Sequence, residues 1–145
     1  MRVLVDANVL VSALLVGSNT NKPIAQTFRF GGLGLFDVLI AEESIVEVRS
    51  TLASKPWFVR NIPFVVGESF LEHTIALAPV LPALAYLPPR RCRDRRDDYL
   101  LEQAVRFGAD VLLTGDRDLL SIEHPPAGLR ILDPRAFVDE FSQPE

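Results

Sequence analysis

VLLTGDRD, residues 111–118, ends an apolar run in a turn that carries two aspartates. The run does not alternate in polarity. A strand covered by helices on both faces reads this way, whereas a half-exposed strand alternates. VLVDAN, residues 3–8, has the same form near the other end of the chain: an apolar strand that delivers Asp6 at its tip. Carboxylates at two buried strand ends need a physical reason.

Working outward from these two strands, helices and strands alternate. Residues 7–15 continue the first strand as a helix, and 17–21 are a polar break. Pro23 opens a helix through residue 30, closed by Gly31, Gly32 and Gly34. LFDVLIA (35–41) reads as a second strand and 42–54 as a helix stopped by Pro56. Residues 63–77 read as helical. The proline-rich stretch 78–89 reads as loop or extended chain. Residues 97–107 read as a helix capped by Gly108, 118–122 as a short helix, 129–132 as a strand and 134–141 as a last helix. This order predicts a three-layer α/β/α domain with a central, mainly parallel sheet over residues 1–141, and a short tail at 142–145. In such sheets ligands bind outside the carboxyl ends of the strands, where Asp6 and Asp116 lie.

Composition bounds the function. A chain of 145 residues fits one domain, and 48% hydrophobic residues with mean hydropathy +0.20 supply a core. No apolar run reaches the roughly 18 residues that span a bilayer. Asp6 and Asn8 interrupt what would be a signal core, so no secretory segment is expected. The single cysteine, Cys92, rules out an internal disulfide and suits a reducing cytoplasm; its arginine neighbours could lower its pKa, but a catalytic thiol wants a histidine partner and none is evident, so Cys92 reads as structural. A net charge of −4 argues against coating nucleic acid by bulk positive charge, but not against an acidic pocket that holds cations.

If the two strands are neighbours, Asp6 and Asp116 converge, and a magnesium or manganese ion would relieve their repulsion. The helix from Glu42 offers Glu42, Glu43 and Glu47, and the helix from Asp97 offers Asp97, Asp98 and Glu102. Each acid also has a local role open to it. Asp6 and Asp116 can cap the helices that follow them, and Asp118 can serve the turn. Asp97 and Asp98 can supply an N-cap and a first-turn charge. Ile45, Val48 and Leu52 form an apolar stripe that puts Glu47 on the opposite, solvent side of its helix. Asn8 and Thr114 are neutral oxygen carriers near the two tips.

VLVDANVLVSALL (3–15), CRDRRDDYLLEQA (92–104) and GADVLLTGDRDLL (108–120), in this order, resemble the PIN-domain ribonucleases, and most closely the stand-alone branch grouped with toxin–antitoxin systems, which includes the VapC toxins. The resemblance implies four acidic positions that bind Mg2+ or Mn2+. Matched by motif they are Asp6, Glu47, Asp98 (in preference to Asp97) and Asp116, with Thr114 and Asp118 assisting. It implies hydrolysis of RNA phosphodiesters, silencing by an antitoxin protein, and a homodimer. Arg95 and Arg96 depart from the usual pattern. With Arg93 they form a basic stretch that either pairs with local acids or clamps RNA phosphate. The competing readings are a catalytically silent binding module and a Toprim-like phosphoryl-transfer domain; the latter wants a glutamate where this chain has Asp6.

Overall fold

The structure, a computed structural model, describes residues 1–17 and 21–142. Within the described residues the chain runs β1 (Arg2–Val5), α1 (Ala7–Val16), α2 (Pro23–Gly32), β2 (Asp37–Ala41), α3 (Glu42–Ser54), α4 (Pro56–Asn61) and α5 (Phe64–Leu77). It continues with β3 (Val80–Leu81), a 3-10 turn (Arg95–Asp97), α6 (Asp98–Arg106), β4 (Val111–Leu113), α7 (Arg117–Leu120), β5 (Arg130–Leu132) and α8 (Pro134–Ser142). Most of the expected polar break after α1 and the tail beyond Ser142 lie outside the described residues.

The five strands form one parallel sheet in the order β3-β2-β1-β4-β5. Successive strand residues turn to opposite faces. Val3 and Val5 join one core with Ile45 and Val48 of α3, Leu71 of α5 and Phe137 of α8. Leu4 and Leu112 join the other, under Leu100 and Leu101 of α6 and Leu119 of α7. This is the three-layer α/β/α architecture that the non-alternating strands predict.

Two elements differ from expectation. Pro56 ends α3 and also opens α4, because proline lacks only an N–H that the first helical turn leaves unused. Residues 80–81, inside the proline-rich stretch, pair with β2 as a two-residue edge strand. An edge strand tolerates nearby prolines since one side of its ladder is unpaired. Gly108 closes α6 at φ +64°, the left-handed conformation that favours glycine at this position.

The strand order fixes the site. The chain lays β1, β2 and β3 outward, then returns to put β4 on the other side of β1. β1 and β4 therefore flank the topological switch point, where a crevice opens at the carboxyl ends. Their register pairs Val5 with Leu113, so Asp6 and Thr114 emerge side by side.

Candidate active site

Asp6 stands at the N-cap position of α1 but makes no capping hydrogen bond. Its Oδ2 instead accepts the Thr114 hydroxyl at 2.7 Å. The same Thr114 Oγ1 accepts the Asp116 amide at 3.0 Å, so one hydroxyl ties both strand tips together. Asn8 reinforces the junction by accepting the Gly115 amide at 3.1 Å. Asp116 does cap α7, through Oδ1 to the Asp118 amide at 2.9 Å.

Glu47 lies on the exposed side of α3, as the apolar stripe requires, but that side does not face open solvent alone. α3 and α6 pack on opposite faces of the sheet and meet over its carboxyl end. There Tyr99 of α6 donates its hydroxyl to Glu47 Oε2 at 3.1 Å, and the Tyr99 oxygen also meets Ser44 Oγ at 3.0 Å. Sequence reasoning missed both Tyr99 and Ser44. The only signal was Ser44 standing three residues before Glu47, on the same helical face.

Asp97 and Asp98 part company. Asp98 is 1% exposed, and its Oδ1 accepts the amides of Arg91 at 2.9 Å and Cys92 at 2.7 Å. Burial opposes its charge, but those two amides, with the Cys92 thiol and the Arg95 charge, together hold the carboxyl below its ordinary range. Asp97 is the N-cap of α6 by position, yet makes no capping bond. Burial pushes it up to about 7, helped by the charges of Asp116, Asp6, Asp94 and Glu47. Burial likewise pushes Asp6 up to about 6; the Thr114 bond opposes this, and Glu47 and Asp116 add to it. The acids that press on one another are thus Asp6, Glu47, Asp97 and Asp116. Asp98 points into the loop that precedes it.

Three of these acids share a pattern. Asp6, Glu47 and Asp116 each have one carboxylate oxygen held by a protein donor: the Thr114 hydroxyl, the Tyr99 hydroxyl and the Asp118 amide. An all-oxygen set of mutually repelling carboxylates suits a hard divalent cation. Among the described residues no three such side chains already close around one point. What relates the four is charge: Glu47 and Asp116 both act on Asp6 and on Asp97, and Asp6 acts on Asp97.

The other acids have local work. Glu42 and Glu43 accept the amides of Ala83 and Leu84, each at 3.1 Å. Glu102 accepts the Tyr86 hydroxyl. In the basic stretch Arg96 forks onto Asp94, Arg93 lies 3.9 Å from Asp118, and Arg95 lies 4.0 Å from Asp98, with all three heads largely exposed. The arginines do not activate Cys92. Burial, then the hydrogen bond to Asp98 and its charge, push the thiol up to about 12, as suits a structural cysteine. His73 and His124 are exposed, and His73 bonds the Ser69 carbonyl of its own helix. A cavity of about 650 Å3 lies elsewhere, around the starts of β2 and β3, lined by Phe28, Phe36, Val80 and Phe107 among others. None of the four coupled acids lines it.

The family model for the PIN domain matches residues 2–118. No curated protein matches the chain. Among solved structures, VapBC2 from Rickettsia felis, bound to a DNA fragment from their promoter, aligns with TM-score 0.60 at 11% identity, covering 92% of this chain and 98% of that one. PAE2754 from Pyrobaculum aerophilum aligns with TM-score 0.64 at 20% identity, covering 98% and 90%. At such identities the likeness is one of fold.

Proposed function

The chain belongs to the PIN-domain family, and from that premise we propose that it is a Mg2+- or Mn2+-dependent endoribonuclease, the toxin of a toxin–antitoxin pair. The observation that carries this reading is the junction at the switch point of the sheet, where one Thr114 hydroxyl joins the Asp6 carboxylate to the Asp116 turn and the charges of Glu47 and Asp97 act on the same place. These four would hold the cation. Asp97 takes the place that motif matching assigns to Asp98, because both Asp98 oxygens face the 91–95 loop.

A bound divalent cation supplies charge neutralisation at the scissile phosphate and an acidified water. The protein does the rest. Thr114 holds the Asp6 carboxylate beside the Asp116 turn, and Tyr99 holds Glu47. Asp118 and Asn8 brace the turn through its backbone. Arg93, Arg95 and Arg96 present exposed guanidinium groups on the segment leading to Asp97, positioned to take RNA phosphates.

Two partners follow from this reading. An antitoxin would silence the crevice by placing a cationic side chain among the acids. The VapBC2 assembly, which joins two partners on promoter DNA, supports a protein partner by likeness of fold. A homodimer would cover apolar surface such as Trp57, Phe64 and Val65, which are 50%, 80% and 75% exposed. Among the described residues no helix is long and apolar enough to cross a membrane; we assign the protein to the cytoplasm.

The test is cleavage of end-labelled RNA with Mn2+, compared with EDTA and with the same sequence as DNA. The parent should cut RNA only with metal, and Asp6→Asn and Asp97→Asn should each slow it by about 100-fold or more. Folded Asp98→Asn should keep metal-dependent cutting. Loss of cutting in Asp98→Asn but not in Asp97→Asn would reverse the assignment. Cutting undiminished in Asp6→Asn would remove the nuclease reading.

A further inference from the structure

We infer that Tyr99, oriented by Ser44, is a positioning residue that sets the Glu47 carboxylate for the metal. This deepens the nuclease reading and rests on it. Glu47 is the one coupled acid carried on the exposed face of a helix, with no strand or cap to fix its rotamer. A free glutamate there would sample several conformers and lose side-chain entropy on binding a cation.

The hydrogen bonds have a forced direction. An ionised carboxylate only accepts, so the single Tyr99 proton goes to Glu47 Oε2. Ser44 must then donate to the Tyr99 oxygen. Ser44 is fully buried at the first turn of α3, and Tyr99 packs against the core beneath α6, so neither end of the relay drifts. One Glu47 oxygen is thereby held, while Oε1 accepts no hydrogen bond among the described residues, and the Glu47 charge acts on both Asp6 and Asp97. The relay links α3, which carries Glu47, to α6, whose N-cap is Asp97; the two helices lie on opposite faces of the sheet. Outer partners of this kind typically change metal affinity by about 10- to 100-fold when removed.

Isothermal titration of Mn2+ into the full chain tests this without relying on turnover. Tyr99→Phe keeps the ring and its packing and deletes only the donor. Its Mn2+ dissociation constant should rise roughly tenfold or more, and its RNA cleavage should recover at high Mn2+ with an unchanged KM for RNA. Ser44→Ala should weaken Mn2+ binding in the same direction by a smaller factor. Glu47→Gln should weaken it too, and adding Tyr99→Phe to Glu47→Gln should cost nothing more, since the tyrosine acts through the glutamate. A merely structural tyrosine would lower the melting temperature and leave this non-additivity absent. Folded Tyr99→Phe that binds Mn2+ within about twofold of the parent overturns the inference; should that variant fail to fold, Ser44→Ala decides on the same criterion of a changed dissociation constant. A parent that neither binds Mn2+ nor cuts RNA overturns the nuclease reading first, and this inference with it.

Discussion

The carboxylate of Asp98 accepts two backbone amides while that of Asp97, one residue earlier, accepts no hydrogen bond among the described residues. Spacing cannot separate such neighbours, because the choice depends on where the helix begins. The 3-10 turn of Arg95–Asp97 sets that point. It leaves Asp97 at the N-cap, where the charges of Asp116 and Asp6 act on it, and sends Asp98 back under the loop. The helical wheel placed Glu47 correctly, opposite the apolar stripe. What it could not contain was the tyrosine arriving from α6. The two aspartates should therefore fail differently. Asp98→Ala leaves the Arg91 and Cys92 amides without their acceptor, the latter buried, and should cost about 3 kcal/mol in urea unfolding. Asp97→Asn removes a charge that its neighbours repel, and should raise the melting temperature of the metal-free protein. Equal destabilisation by both would contradict these separate roles of Asp97 and Asp98.

Elements differ in how legible they are. β1, β2 and β4 declare themselves as apolar runs too continuous for a half-exposed strand, and the sheet's parallel order follows from the helices between them. β3 does not declare itself, since two residues between Pro79 and Pro82 carry no period. Its position comes instead from long-range hydrogen bonds. Glu42 and Glu43 hold the Ala83 and Leu84 amides, and Gln103 of α6 donates to Glu43 at 3.0 Å and to the Pro82 carbonyl at 2.8 Å. These acids look like first-turn helix charges in the sequence, and they act as staples for the segment after β3. Replacing both with alanine should speed amide exchange at Ala83 and Leu84 by at least about tenfold while β1 and β4 keep their protection. Unchanged exchange at those two amides would mean that the prolines alone hold the segment.

At the scale of the whole molecule, the site is a charge cluster built against the stability of the fold. Asp6 and Asp97 are pushed up to about 6 and about 7 from 3.8. Between roughly pH 4 and 7 the folded chain therefore holds protons that the unfolded chain has released. Stability from these groups is fully present below the unfolded value and is lost as pH rises through the folded ones. Asp94, Asp98 and Glu140 are shifted the other way, and their contribution is lost only as pH falls into the range of ordinary carboxylates. In EDTA the melting temperature should accordingly be higher at pH 5 than at pH 7.5. The Asp6 shift alone corresponds to something on the order of 2–3 kcal/mol. Asp6→Asn and Asp97→Asn should each flatten the profile. Saturating Mn2+ should raise the melting temperature most at pH 7.5, because a cation favours the ionised carboxylates that burial disfavours. Calorimetric melts with and without metal across this range check the sign directly. A metal-free profile that rises steadily from pH 5 to 7.5, with no flattening in either variant, would show that these acids do not share one crevice.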